Sequence, residues 1–201
     1  MTSTLRLPAE WEQQTGVLIS WPTASTDWQC NLADAETSYL ELTGLITQTC
    51  HAFICCSDST TLQRVEALCH DKGIPAECFS LFIIAYNDTW TRDYGPISVR
   101  RENELIWLDF EFNAWGGKYQ HQADNELTRA LHRQFKDRRT LQHINFVLEG
   151  GSIDSDGQGT IITTSQCLLD PVRNPGLSKK QIEDRLTSSL GIQRILWLDH
   201  G

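Results

Sequence analysis

The sequence lacks the marks of several protein classes. Methionine occurs once and charged residues make up only 21%, while 40% are hydrophobic, so the compositions of disordered, collagen-like or coiled-coil chains are absent. No stretch approaches the ~18 apolar residues of a spanning helix, and the longest candidate, Phe79 to Ala85, is strand-sized. The first 25 residues contain Glu10, Glu12 and two prolines, and no basic segment leads into an apolar run, which excludes the signal-peptide pattern there. Basic residues are outnumbered, 17 against 26, for a net charge of −9. Phosphate backbones and anionic membranes are repelled by such a field and cations are favoured, so neither nucleic acid nor membrane is an expected partner.

Seven cysteines, at positions 30, 50, 55, 56, 69, 78 and 167, are an odd number without paired CxxC spacing. That pattern reads as a reduced, cytoplasmic protein rather than a disulfide or zinc framework. No cluster of metal-ligand type is visible, and no metal or cofactor is called for. Cys50, Cys55 and Cys69 fall on apolar faces, where thiols are inert. Only Cys167 stays open as a nucleophile, while His121, His132 and His143 stand in polar, surface-like contexts.

What is present is a succession of short apolar strands and amphipathic helices. Gly16 to Trp21 reads as a buried strand. Leu32, Ala35, Tyr39, Leu42, Leu45 and Ile46 then mark one helix face up to about Cys50. His51 to Cys56 is a second strand. A helix follows, with Asp58-Ser-Thr-Thr as its cap region, Thr60 and Gln63 at capping-box spacing and Gly73 where it should stop. Cys78 to Ala85 is the third strand. Further on, Ile97–Arg100 and Leu105–Phe110 form a hairpin turning at Glu102-Asn103. A helix from about Asp124 to Lys136 and a strand from Ile144 to Leu148 follow. Ser152–Asp154 and Thr160–Thr164 make another hairpin. Ser178 and Gln181 cap the next helix, and Ile192–Leu198 is the closing strand. The order β, β, α, β thus occurs over 97–148 and again over 151–198, which suggests a repeat architecture.

Three loops carry the chemistry. The first, Asn87 to Pro96, holds Asp88, Trp90, Arg92, Asp93 and Tyr94 directly after an apolar strand, where α/β folds place ligands. A plain surface loop, with its Asp residues capping turns and Arg92 in a salt bridge, accounts for the same residues equally well. In the second, Glu149 ends an apolar strand ahead of Gly150 and Gly151. It either projects into a cleft approached closely by backbone or sits solvated on a bulge. The third is Trp115-Gly-Gly-Lys118, where an indole filling a hydrophobic gap is the simpler reading.

The stretches Leu7-Pro-Ala-Glu-Trp-Glu12, Trp90-Thr-Arg-Asp-Tyr-Gly-Pro96, Phe110-Glu-Phe-Asn-Ala-Trp-Gly-Gly-Lys118 and Val147-Leu-Glu-Gly-Gly-Ser-Ile153 closely resemble the agmatine deiminase family, which includes the bacterial-type peptidylarginine deiminases. The resemblance runs in order over nearly the whole chain. It implies the pentein fold, an α/β propeller of five ββαβ units, of which this chain resembles about the first three. The 201 residues are accordingly expected to be the N-terminal part of a single pentein domain.

The resemblance also implies the reaction. A Cys thiolate attacks the guanidinium carbon of agmatine, ammonia leaves, and water resolves the thiouronium to N-carbamoylputrescine on the way to putrescine and polyamines. By the same resemblance Asp93 and Glu149 are catalytic, guanidinium-binding acids, and Trp90 and Trp115 line the substrate pocket. The physics suits them, since a planar guanidinium offers forked donors to carboxylates and a cationic face to indoles. The family's His-x-Asp motif and its nucleophilic Cys have no counterpart here. His200 and Cys167 match neither position, and the chain alone is expected to be inactive. Asp154 stands where the family often has His and is given no role. A peptidylarginine substrate, or a shortened pentein that binds a cation without turnover, is the alternative. Open sheet edges leave pairing with another chain, including a homo-oligomer, as a further expectation.

Overall fold

The computed structural model describes residues 5–135 and 139–200. Lys136, expected to end a helix, lies outside them. The strands are β1 (Leu5–Arg6), β2 (Gly16–Ser20), β3 (His51–Cys56), β4 (Phe79–Ile83), β5 (Ile97–Arg101), β6 (Glu104–Glu111), β7 (Thr140–Val147), β8 (Ile153–Ser155), β9 (Thr160–Thr164) and β10 (Arg194–Leu198). Four long helices accompany them, α1 (Leu32–Ile46), α2 (Ser59–Asp71), α3 (Gln122–Gln134) and α4 (Lys179–Leu190). The residues divide into two compact units. One comprises 1–12, 92–121 and 135–201, and the other 13–91 with 122–134.

The first unit contains two sheets, ordered β1-β5-β6-β7 and β10-β9-β8. Both follow one pairing scheme: an antiparallel hairpin (β5 with β6, β8 with β9), then a parallel strand beside its second member (β7 on β6, β10 on β9). The chain order is the expected ββαβ, since a parallel return needs a crossover: α4 lies between β9 and β10, and α3, counted with the second unit, lies between β6 and β7. Val99, Ile106, Leu108, Phe146 and Leu148 share one core with Ile153, Ile161, Ile182, Leu186 and Leu190. Burying each such side chain contributes ~1.5–3 kcal/mol. The cap of α4 is as expected: Ser178 accepts from the Gln181 backbone N–H, and Gln181 returns the bond to the Ser178 backbone.

The second unit is a parallel sheet, β2-β3-β4, around a core of Ile19, Trp21, Ala52, Ile54, Val65, Cys69 and Ile74. Two expectations are corrected here. On α1 the buried residues are Ala35, Glu36, Thr43 and Ile46, whereas Leu42 and Leu45 are 43% and 61% exposed. The inward face is rotated because Glu36 is turned in to accept from the Trp21 indole (3.2 Å) and to pair with Arg64. Within the expected cap region of α2 the cap is Asp58 and not the Thr60 of the capping-box spacing: its carboxylate accepts from the Thr61 N–H at 2.7 Å, starting the helix earlier. Of the thiols expected on apolar faces, Cys55 and Cys69 are buried and Cys50 is half-buried; burial pushes Cys55 up to about 12 and Cys69 to about 11, and the neighbouring buried Cys56 to about 12.

Candidate functional site

Asp93 is presented by a single helical turn, Thr91–Tyr94, cut short by Gly95-Pro96. Tyr94 is buried and packs on Phe112 with centroids 5.7 Å apart, which anchors the turn. Arg92 points away from Asp93. It pairs with Glu10 and donates to the Ile153 carbonyl at 3.2 Å, so the salt-bridge reading holds for this residue.

Glu149 follows the end of β7, and its side chain is not solvated: the residue is only 2% exposed. The two glycines behind it serve a close approach. A Cβ on Gly150 would lie 2.3 Å from the Arg92 carbonyl oxygen, and one on Gly151 would lie 2.4 Å from Asp93 Oδ1. The chain therefore passes directly over the Asp93 turn, and the Gly151 N–H donates to Asp93 Oδ1 at 3.0 Å. The backbone that the paired glycines admit is the protein's own.

Trp115 reaches the same carboxylate from the other side, its indole Nε1–H donating to Asp93 Oδ2 at 2.9 Å. The segment carrying it is a left-handed turn. Ala114, Trp115, Gly116 and Gly117 have φ of 51°, 55°, 89° and 78°, and Asn113 Oδ1 accepts from the Gly116 N–H at 3.0 Å. A left-handed conformation costs ~1–2 kcal/mol for each residue with a Cβ, and such strain gathers at functional sites. Phe112 stands edge-on to the indole at 5.3 Å and Tyr119 at 5.9 Å. The gap-filling reading is thus half the account, because the polar edge of the ring is also in use.

A residue absent from the sequence reading completes the arrangement. Arg173 Nε donates to both oxygens of Glu149, at 2.8 and 3.1 Å, and its Nη1 meets Asp170 at 3.0 Å. Arg173 is 8% exposed. Its loop is an Asx turn, with Val172 N–H on Asp170 Oδ1 (2.8 Å), and Asn174 brackets the Val147 peptide with two hydrogen bonds, at 3.0 and 2.9 Å. The available signal was Asp170-Pro-Val-Arg-Asn-Pro, a polar loop stiffened by two prolines between two apolar elements.

Burial raises the Glu149 carboxyl above its ordinary value despite the opposing Arg173, and the Asp93 charge pushes the same way. For Arg173, burial works against the cation, and the bonds to Glu149 more than offset it, so its pKa is raised.

The first unit therefore gathers Asp93, Glu149 and Trp115. Trp90 belongs to the second unit, where it is 47% exposed and its indole donates to Asp88 Oδ2 at 3.3 Å. Cys167 is half-buried on a one-turn helix capped by Thr164. His143 is exposed, as expected, and contacts Asp109 (3.1 Å) and Glu111 (3.2 Å).

Asp93, on its helical turn, and Glu149, buried just after β7, are thus two acids each held by internal donors. The model of the Porphyromonas-type peptidyl-arginine deiminase family matches residues 6–201. This chain belongs to that family. Among family relatives, the agmatine deiminase of Stutzerimonas stutzeri is 37% identical over 213 residues, covering all of this chain and 56% of its own length. That of Medicago truncatula is 33% identical, covering 97% and 54%. Solved structures agree: a C. jejuni agmatine deiminase with substrate bound superposes with TM-score 0.88 at 32% identity, and the agmatine deiminase of Enterococcus faecalis with 0.86 at 30%. Each alignment covers 98% of this chain, and 56% and 55% of the respective structures. The fold is the pentein fold of these deiminases. The chain spans about half the length of the curated relatives it matches.

Proposed function

We propose that this chain supplies the guanidinium-holding acids of an agmatine deiminase, which hydrolyses agmatine with water to N-carbamoylputrescine and ammonia. The observation that carries the proposal is that Asp93 lies close enough to the buried Glu149 for its charge to act on that carboxyl, each acid being held by donors from the first unit. A guanidinium presents N–H pairs in one plane, and carboxylates accepting from two of its edges fix the carbon as well as neutralise the charge. Asp93 and Glu149 bind and orient the cation, and the surrounding net charge of −9 steers cations inward. The bond-breaking groups of the family reaction, a thiolate to attack the carbon and a histidine to move protons, are not matched in these 201 residues. Lacking a covalent nucleophile costs several orders of magnitude in rate. The chain alone therefore binds agmatine without releasing ammonia.

The family's description favours a peptidylarginine substrate, whereas the curated relatives are agmatine deiminases. The same assay separates these readings. Ammonia release is measured with free agmatine and with an arginine-containing peptide, for this chain and for a protein of its relatives' full length that contains it. Turnover of agmatine by the long form alone supports the proposal. Preference for the peptide shifts the substrate class, and turnover by the 201-residue chain refutes the division of roles. Isothermal titration completes the test: saturable agmatine binding lost in Asp93→Asn supports the site, and binding unaffected by that change overturns it.

A further inference from the structure

The two candidate acids are held by two different loops, and those loops touch. Trp115 is carried by the left-handed turn at Ala114–Gly117, and Arg173 by the Asp170–Asn174 loop. Between them, Asn113 Nδ2 donates to the Val172 carbonyl at 3.2 Å. A Cβ on Gly116 would lie 3.5 Å from Val172 Cβ and 3.7 Å from the Asp170 carboxylate, so the turn lies directly on the loop. Asn113 thus spends its two polar atoms on different tasks. Oδ1 caps the turn through the Gly116 N–H, and Nδ2 ties the turn to the Arg173 loop.

We infer that Trp115 and Asn113 are positioning residues: the Trp115 indole N–H fixes the Asp93 carboxylate, and the Asn113 amide registers that indole against the loop whose arginine fixes Glu149, so one loop contact sets the spacing of both acids. The inference rests on the guanidinium reading for its purpose, but its geometry is testable without a ligand. A rigid carboxylate pair loses less freedom when a planar cation binds, which is where preorganisation gains affinity. Arg173 and Trp115 therefore belong to one frame.

Asn113→Asp separates the two tasks, because an aspartate still caps the turn and no longer donates to Val172. The experiment is nuclear magnetic resonance on the 15N-labelled chain, following three protons: Trp115 Nε1–H, Gly151 N–H and Arg173 Nε–H. Trp115→Phe keeps an aromatic ring and deletes the donor, and is expected to move the Gly151 resonance. Asn113→Asp is expected to move both the Trp115 and Arg173 resonances. If Asn113→Asp moves the Trp115 proton and leaves Arg173 in place, the linkage is wrong. If Trp115→Phe leaves Gly151 unmoved, the positioning role is wrong.

Agmatine titration then asks the separate question. Trp115→Phe is expected to weaken binding ~10-fold, the equivalent of one hydrogen bond to a charged group. Wild-type affinity in that variant, with affinity lost in Asp93→Asn, overturns the inference and spares the site. Affinity unchanged in Asp93→Asn removes the guanidinium reading, and the resonance arms still decide the frame.

Discussion

Arg173→Met puts the buried pair to the hardest test. The wild-type guanidinium meets both Glu149 oxygens through Nε, with side chains 8% and 3% exposed. Removing one member of a buried ion pair leaves an uncompensated charge and costs ~3–5 kcal/mol. Glu149 can escape that cost by taking a proton, because burial already raises its carboxyl above the ordinary 4.5, and loss of Arg173 removes the main opposing influence. The sign follows directly. A carboxyl whose folded pKa is raised leaves full stability below its unfolded pKa and loses it as pH rises towards the folded value. The variant's deficit must therefore grow with pH, by at most about 1.4 kcal/mol per pH unit in which the variant alone titrates. Urea unfolding at pH 5.0 and 7.5 reads this. With m of ~1–3 kcal/mol/M, a deficit of ~3 kcal/mol moves the midpoint by about 1–3 M. Adding Glu149→Gln should return most of the loss at pH 7.5, since no buried charge is then stranded. A deficit equal at both pH values, or one that Glu149→Gln fails to relieve, refutes the charge argument and leaves only lost packing.

Two further outcomes follow from named contacts. Gly151→Ala sets a Cβ 2.4 Å from Asp93 Oδ1 and must displace that carboxylate; agmatine affinity is expected to drop by at least tenfold, measured by calorimetry, with circular dichroism checking the fold. Glu12 accepts from Arg6 and from the Ala9 N–H, which hold its carboxyl down at about 2. Its contribution, about 1 kcal/mol or less because the pair is partly exposed, is present above the ordinary 4.5 and lost as pH falls to about 2. Comparison with Glu12→Gln in acid unfolding should therefore show the two proteins converging across that window.

Local rules carried the fold a long way and stopped where distant partners decide. The repeated β, β, α, β order was readable because each strand is a short apolar run bounded by turn residues and each helix has a 3.6-residue stripe. The α4 cap was readable because both of its members lie within one turn. The inward face of α1 was not, because it depends on a buried Glu36 whose partners lie 15 and 28 residues away. The left-handed turn contradicts the preferences of Ala114 and Trp115 and is maintained by Asn113 and by packing on Val172. The glycines after Glu149 correctly signalled close backbone approach, but spacing cannot say that the approaching group is the protein's own Asp93. Arg173, 24 residues beyond Glu149, carries no local mark of its pairing.

The two acids are held in chemically different ways, and that difference has a measurable consequence. Asp93 accepts from two neutral donors, the Trp115 indole and the Gly151 amide, which orient a carboxylate without cancelling its charge. Glu149 accepts from a cation in a buried setting, and burial still leaves its carboxyl raised. A second guanidinium arriving beside Glu149 adds positive charge where the carboxylate is only partly compensated, and an opposite charge favours the ionised form. Binding must then lower the Glu149 pKa and expel a proton at any pH between the free and bound values. In calorimetry the observed heat of agmatine binding at mildly acidic pH should vary with the ionisation enthalpy of the buffer, and the dependence should vanish in Glu149→Gln. The same heat in every buffer would mean that the incoming cation is compensated by Asp93 alone, which would take Glu149 out of the binding site and leave it as the anchor for Arg173.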